Sequence, residues 1–437
     1  MSTLFINARL IDPEAGTDDL GSLLTRHGQI VARTNGDEGV ETILAAHGLA
    51  AADVQVVDCG GKCIAPGIVD IGVKVCEPGE RHKESYKSAG LAAAAGGVTT
   101  IVTRPDTTPC IDSPETLEFV TRRAQVDAPV NVLPMAALTK GRDGREMTEI
   151  GLLMDAGAVA FTDCDHVVTS TKVFSRALTY ARSLGALVMA HPQEPGLSAG
   201  AAATSGKFAA LRGLPSVSPM AERMGLDRDI ALLEMTGAAY HADQITTARA
   251  LPALERAKRN GLDITAGGSI HHLTLNEFDV ADYRTFFKVK PPLRGEDDRL
   301  AVVEAVRDGL IDIISSMHTP QDEESKRLPF EEAASGAVGL ETLLPAALRL
   351  VHNGILDMPT LFRALSTNAA SRFNLPGGTL EEGAPADLIL FDPNAPFVLD
   401  RFKLNSKCKN TPFDGTRMEG RVLQTYVNGG LVYDHST

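Results

Sequence analysis

Closely paired cysteines, clustered basic residues and long apolar runs are all missing from this sequence, and each absence closes off a class of function. The six cysteines (Cys59, Cys63, Cys76, Cys110, Cys164 and Cys408) are scattered, with no C-x-x-C pair among them. That usage fits free thiols in a reducing cytoplasm rather than a disulfide framework. Cys59 and Cys63 stand four apart, where a zinc pair is conceivable, but the plainer role is that of small buried hydrophobes. No basic run interrupts a chain of formal net charge −14. This speaks against nucleic acid, which needs clustered cations to displace its counterions. Small anions are not excluded, because local charge holds them. No apolar stretch is long enough for a membrane span. The opening MSTLFINARLIDPE has no basic region followed by an apolar core, so a signal peptide is not expected and a cytoplasmic location is.

What is present is 437 residues, 43% hydrophobic and 22% charged. These are ordinary proportions for a globular chain, and the length allows one large domain plus a smaller one, or two to three ordinary domains. Near the start, TLFINARLID, GSLLTRHGQIVART and VQVVDCGGKCIAPG read as strands, with turns at Asp-Pro, His-Gly and Gly-Gly. Near the end, GGTLEEGAPADLILFDP and GRVLQTYVNGGLVYD read likewise, the second with an Asn-Gly-Gly hairpin turn. Between them, short apolar strands alternate with amphipathic helices. The strands are GIVDIGV, VTTIVT, PVNVLPMAA, AVAFTD, ALVMAH, AYHADQIT, LDITAGGSI and IDIISSMH. Eight strands with interleaved helices predict an α/β fold, a (β/α)8 TIM-like barrel over residues 64–372. Segments 1–63 and 373–437 would then meet as one small β-domain. The Gly-, Ala- and Ser-rich piece QEPGLSAGAAATSGKFAALRGLPSVSPMAER is expected to be a loop excursion over the open face of the barrel. The acids of GEDDR suit a helix start, and HKESYK is expected to be a solvated face.

A barrel of this type carries its chemistry at the C-terminal strand ends. Those positions hold Gly72 and Lys74, Asp163, His191, His241 and Gln244, His271 and His272, and Met317 and His318. Gly72 and Lys74 follow IAPGIVDI two residues apart, on one face of the strand. That is the spacing of a His-x-His metal clamp, but neither residue is histidine.

Taken together, IAPGIVDI, EPGE, AAAAGGVTTIV, PPLRGEDDR, DGLIDII, LPFEEAASGAVGLETLLP, STNAASRFNLP, GTLEEGAPADLILFD and KNTPFDGTRMEGRV resemble the dihydroorotase family of the amidohydrolase superfamily, in order and spacing, from end to end. The resemblance implies a zinc-bound hydroxide that attacks a cyclic amide carbonyl while an aspartate moves the proton. The implied reaction interconverts carbamoyl-aspartate and dihydroorotate in pyrimidine synthesis.

Residue by residue, the implied site is mostly gone. The two metal histidines of the opening motif fall on Gly72 and Lys74, and the arginine that grips the substrate carboxylate falls on Cys76. The asparagine of the Met-Pro-Asn-Thr stretch is Asp106, which is expected to repel a carboxylate. The bridging acid is kept as Asp163 and the strand-five metal histidine as His191. The strand-six histidine is replaced by Gln244, and the catalytic aspartate falls on Met317. A further carboxylate contact falls on Gln321, and the asparagine before PPLR is Lys290. Asp163 and His191 fall short of the three protein ligands usual for catalytic zinc, and a thioether performs no proton chemistry.

Lys74 has three readings: a cation that replaces the metal and neutralises Asp163, a low-pKa base or Schiff-base nucleophile, or a group turned to solvent. His191 and Asp163 are expected to form a hydrogen-bonded pair; the alternative is one metal ion with His271, His241 or His318 recruited. The leading functional expectation is a non-catalytic member of the family, without metal or other cofactor. The resemblance implies a homo-oligomer that serves as a structural partner of aspartate transcarbamoylase, the preceding pyrimidine enzyme. The alternative is an active zinc-dependent dihydroorotase, or another cyclic-amide hydrolase, with a rearranged site.

Overall fold

The computed structural model describes residues 2–36 and 39–436. Eight strand positions close a parallel barrel. Ile68–Val73 pairs with Val98–Thr103, which pairs with Asn131–Pro134. Val188–Ala190, Tyr240–Ala242, Ile264–Ser269 and Ile313–Ser315 form the other arc. Phe161 bridges the two arcs, pairing with Ala136 on one side and Val188 on the other, and Val73 with His318 closes the ring. The expected strand AVAFTD is therefore reduced to a single bridging residue. Side-chain contacts take over there: Asp163 accepts backbone N–H groups of Leu138 and Thr139, where a longer strand would offer ladder bonds.

The barrel is filled, not hollow. Val69, Ile71, Val102, Met135, Met189 and Ile313 pack inside it, with Phe373 among them. The outer helices follow from apolar spacing and caps. In Thr171–Leu184, the buried Phe174, Ala177, Leu178 and Ala181 fall on one stripe; Ser170 caps the start and Gly185 the end. Glu296–Arg307 begins with Glu296, Asp297 and Asp298 in its first turn, opposite the positive end of the helix dipole.

The terminal strands build a separate eight-stranded sheet. Leu388–Val398 pairs with Arg417–Val427 on one side and with Cys63–Pro66 on the other, and Cys63–Pro66 pairs with Ser2–Asp12. The sheet's core includes Phe5 and Tyr426, packed edge to face. Cys59 and Cys63 are buried there, and burial pushes both thiols up to about 12, which suits packing and not metal binding. Among the described residues no helix is long and apolar enough to cross a membrane.

Two local expectations are corrected. The excursion after the fifth strand is partly ordered: short helices Pro195–Ser198 and Lys207–Arg212 flank a parallel pair, Ala203–Thr204 with Ser216–Val217. HKESYK is not a solvated face. Glu84 and Tyr86 are fully buried; Glu84 accepts from Ser88 and Ser406 and lies 3.4 Å from His318 Nε2. Charge patterning misjudged Glu84 because two of its partners, Ser406 and His318, lie hundreds of residues away.

Candidate functional site

A cavity of about 270 Å³ opens at the C-terminal ends of the barrel strands, where such folds carry their sites. It brings together Lys74, Asp106, His191, Gln244, Lys290, Met317 and Gln321, all expected from sequence. Gly72, Cys76 and Asp163 lie outside its lining.

The space at Gly72 is already filled. A Cβ placed there would lie 2.6 Å from Met317 Sδ and 3.0 Å from Ser315 Oγ. Asp70 tightens the local turn, since its Oδ1 accepts the N–H of both Gly72 and Ser316 at 3.1 Å. No histidine fits at 72 while Met317 holds this position.

Lys74 pairs with Asp106, Nζ to Oδ2 2.9 Å, and not with Asp163 as expected. Burial pulls the lysine pKa down, but the charge and hydrogen bond of Asp106 outweigh it, and the net shift is upward. A lysine held protonated is neither a base nor a Schiff-base nucleophile. The pairing also alters the expected role of Asp106, whose charge is neutralised within the wall.

Asp163 is 4% exposed and fully engaged. Its Oδ1 accepts from Leu138 N (3.0 Å) and Thr139 N (2.9 Å), and its Oδ2 from Thr139 Oγ1 (2.5 Å). Burial raises its pKa against the pull of those bonds. The expected pair with His191 is therefore absent: both carboxylate oxygens are spent on the loop after the third strand. His191, 3% exposed, has an Nδ1 with no hydrogen-bond partner. Burial first and Lys290 second push it down to about 3, so it stays neutral.

Three of the other histidines expected at the strand ends are structural. His241 Nδ1 is 2.8 Å from Thr265 Oγ1, His272 Nε2 is 3.0 Å from Pro291 O, and His271 stacks on Phe413. None of these three lines the cavity, nor does His318, so the expected recruitment of His271, His241 or His318 to a single metal ion is corrected; His166 does line it. Among the described residues no group of three or more His, Cys, Asp or Glu side chains could hold a metal. The residues present do not fit zinc: the Met317 thioether fills the space at the first ligand position, the second position is a lysine paired with Asp106, and Asp163 already accepts three hydrogen bonds from the protein.

Sequence reasoning missed the strongest charges. Arg104, 6% exposed, follows the second strand and donates Nη2 to Asp243 Oδ2 at 2.6 Å, with Nη1 3.6 Å from Met317 Sδ. Burial weakens the guanidinium's hold on its proton, but Asp243 more than restores it. Arg142 Nη1 donates to Asp163 O at 3.2 Å and faces Asp165 at 3.6 Å. Lys290 Nζ donates to Asp165 Oδ2 at 2.8 Å. Burial alone would raise the Asp165 pKa, but Lys290 holds it well below the usual carboxylate range. Arg104 was detectable, since it stands where the Met-Pro-Asn-Thr stretch has methionine. Asp165 and Arg142 carry no such signal.

Comparison with known proteins agrees with this architecture. Residues 61–250 match the family described as dihydro-orotase-like. Among similar chains is a dihydroorotase of Ehrlichia canis (strain Jake), 38% identical over 430 residues, spanning 98% of this chain and 94% of that one. Another is a dihydroorotase of Syntrophus aciditrophicus (strain SB), 37% identical, spanning 99% of each. Of solved structures, the L-hydantoinase (dihydropyrimidinase) from Arthrobacter aurescens superposes with a TM-score of 0.87 at 23% identity, covering 99% of this chain and 96% of that one. Dihydropyrimidinase from Brevibacillus agri superposes with a TM-score of 0.84 at 20% identity, covering 100% and 96%. At those identities the likeness is one of fold.

Proposed function

The chain belongs to the dihydroorotase family, and from that premise we propose that it serves pyrimidine biosynthesis as a non-catalytic member, a structural partner of aspartate transcarbamoylase. One observation carries the non-catalytic part. Met317, at the family's catalytic aspartate position, packs its sulfur into the space that the first metal histidine would need at Gly72. Base and ligand are thus lost in one mutually adapted contact. Lys74 is paired with Asp106 through one carboxylate oxygen, and Asp163 accepts its hydrogen bonds from Leu138 and Thr139, which supports a mouth without a metal-activated water. The partner assignment rests on the family resemblance and on a fold kept whole around an eroded site.

The test is metal analysis and turnover on one preparation purified without chelator, with affinity capture of the tagged chain from its native cells. The expected result is zinc far below one per chain, no interconversion of carbamoyl-aspartate and dihydroorotate, and co-purification of a transcarbamoylase. Stoichiometric zinc with turnover establishes the active alternative. An inactive chain that brings down no transcarbamoylase removes the partner assignment.

A further inference from the structure

The cavity at the barrel mouth retains a concentration of positive charge that the loss of catalysis does not explain. Its wall carries four fixed cations, Lys74, Arg104, Arg142 and Lys290, against two carboxylates, Asp106 and Asp165. This occurs in a chain of net charge −14. The acid that anchors Arg104, Asp243, lies outside the lining.

We propose that this cavity binds a compact phosphoryl dianion without a metal ion, clasped by Arg104, Arg142 and Lys74, with Lys290 at the rim. The proposal rests on the metal-free reading of the mouth given above.

Arg104 supplies the first argument. A guanidinium has five N–H donors, yet the hydrogen bonds of this one go to a single carboxylate oxygen and a thioether sulfur. A buried cation aimed into a polar cavity with donors to spare suits an anionic oxygen. His191 is the second: it lines the cavity, is 3% exposed, and its Nδ1 has no partner. An imidazole nitrogen there suits an N–H···O contact to the same ligand. Convergence is the third. Arg104, Arg142 and Lys74 line one cavity of about 270 Å³ together with the buried thiol of Cys164. Cations gathered around one point clasp one multivalent head group. Two carboxylates at opposite ends of a longer molecule would need them apart.

These cations stand at positions where the family pattern has other residues. Arg104 replaces a methionine, Lys74 a histidine and Lys290 an asparagine. These cations are therefore not a remnant of the ligand set that the resemblance implies for the hydrolase pocket.

Isothermal titration and thermal shift on EDTA-treated, dialysed protein test the proposal, with inorganic phosphate and malonate as probes at matched ionic strength. Phosphate is expected to bind saturably at one site per chain, about tenfold or more tighter than malonate. Arg142→Gln, on the more open wall, is expected to weaken phosphate by about ten- to hundredfold, the range for one charge-assisted hydrogen bond. Lys74→Met serves as the second variant should Arg142→Gln misfold, with the same loss expected. No saturable phosphate binding to the folded wild type overturns the proposal and leaves the non-catalytic reading intact. Malonate binding as tightly as phosphate overturns the phosphoryl assignment, and undiminished binding by the folded variants overturns the residue assignment. Phosphate binding that appears only after zinc is added overturns the metal-free reading itself.

Discussion

Gly72 and Met317 are sterically complementary: a Cβ at residue 72 would stand 2.6 Å from the sulfur of residue 317. Two departures from the family pattern, far apart in sequence, are thus one packing solution. Met317 holds a left-handed backbone, φ 47°, which fixes where its side chain enters. Substitutions at the two positions are expected to be coupled. Gly72→Ala alone should destabilise by about 1–3 kcal/mol through overpacking. The same change in a Met317→Ala background should cost less, with the Ser315 Oγ at 3.0 Å and the residue 317 backbone N at 3.2 Å still close. Denaturant unfolding of the four proteins in this cycle measures the coupling, and strictly additive effects would refute the contact.

Rebuilding the metal site requires both ends of that contact to change. The quadruple variant G72H/K74H/Q244H/M317D is expected to bind zinc, detectable by elemental analysis, before it hydrolyses anything. Cys76 and Asp106 still occupy the positions where the family resemblance implies a substrate-gripping arginine and asparagine. Removing Lys74 also frees Asp106 of its partner, so its charge would then face an incoming carboxylate. Turnover that returns with zinc alone would contradict this account of the pocket.

The Arg104–Asp243 pair spans the second and sixth strand ends in a nearly dry environment. Asp243→Ala should destabilise by about 3–5 kcal/mol, because it strands a buried guanidinium. The double variant R104M/D243N removes both charges and should lose markedly less. Chemical denaturation distinguishes the cases, and equal losses for single and double variants would argue that the pair is not coupled.

Burial holds His191, His241 and His272 down to about 3 and His271 to about 4, against an ordinary value of 6.5. Each depressed pKa means that the unfolded chain binds a proton that the folded chain refuses. Stability should therefore fall as pH drops below about 6.5 and stop falling once the folded values are passed, by up to about 1.4 kcal/mol per pH unit per group. Carboxylates titrate over part of the same range, so the informative measurement is a difference. His241→Gln should show a shallower loss between pH 6.5 and 4 than the wild type. Parallel curves would mean that His241 is not held neutral.

Much of the architecture was legible because it is written in local periodicity. Runs such as VTTIVT and ALVMAH are short, apolar and bounded by turn signals, and each became a barrel strand. AVAFTD reads the same way but survives as a single bridge at Phe161, since no residue in it reveals that Asp163 will take the neighbouring backbone donors. Of the site, the lost ligands could be named from identity alone, and Lys74, Gln244 and Met317 do face one cavity. The charge network could not be anticipated. Asp165 sits in a loop and Arg142 ends the short 3-10 turn Lys140–Arg142, neither with a periodicity to read, and Glu84 looked solvated until Ser406 and His318 closed over it.

By itself, the sequence determined which chemical groups stand at the strand ends, and with them the expectation that zinc lacks an adequate set of donors there. Only the tertiary structure decided which of those groups are partners. Lys74 meets Asp106 and not Asp163, His191 is left with an unpaired nitrogen, and Arg104 is turned toward the cavity. Identity is a local property of each residue. Pairing depends on distances of a few ångströms between side chains from different strands, and the closure of the barrel is what sets those distances.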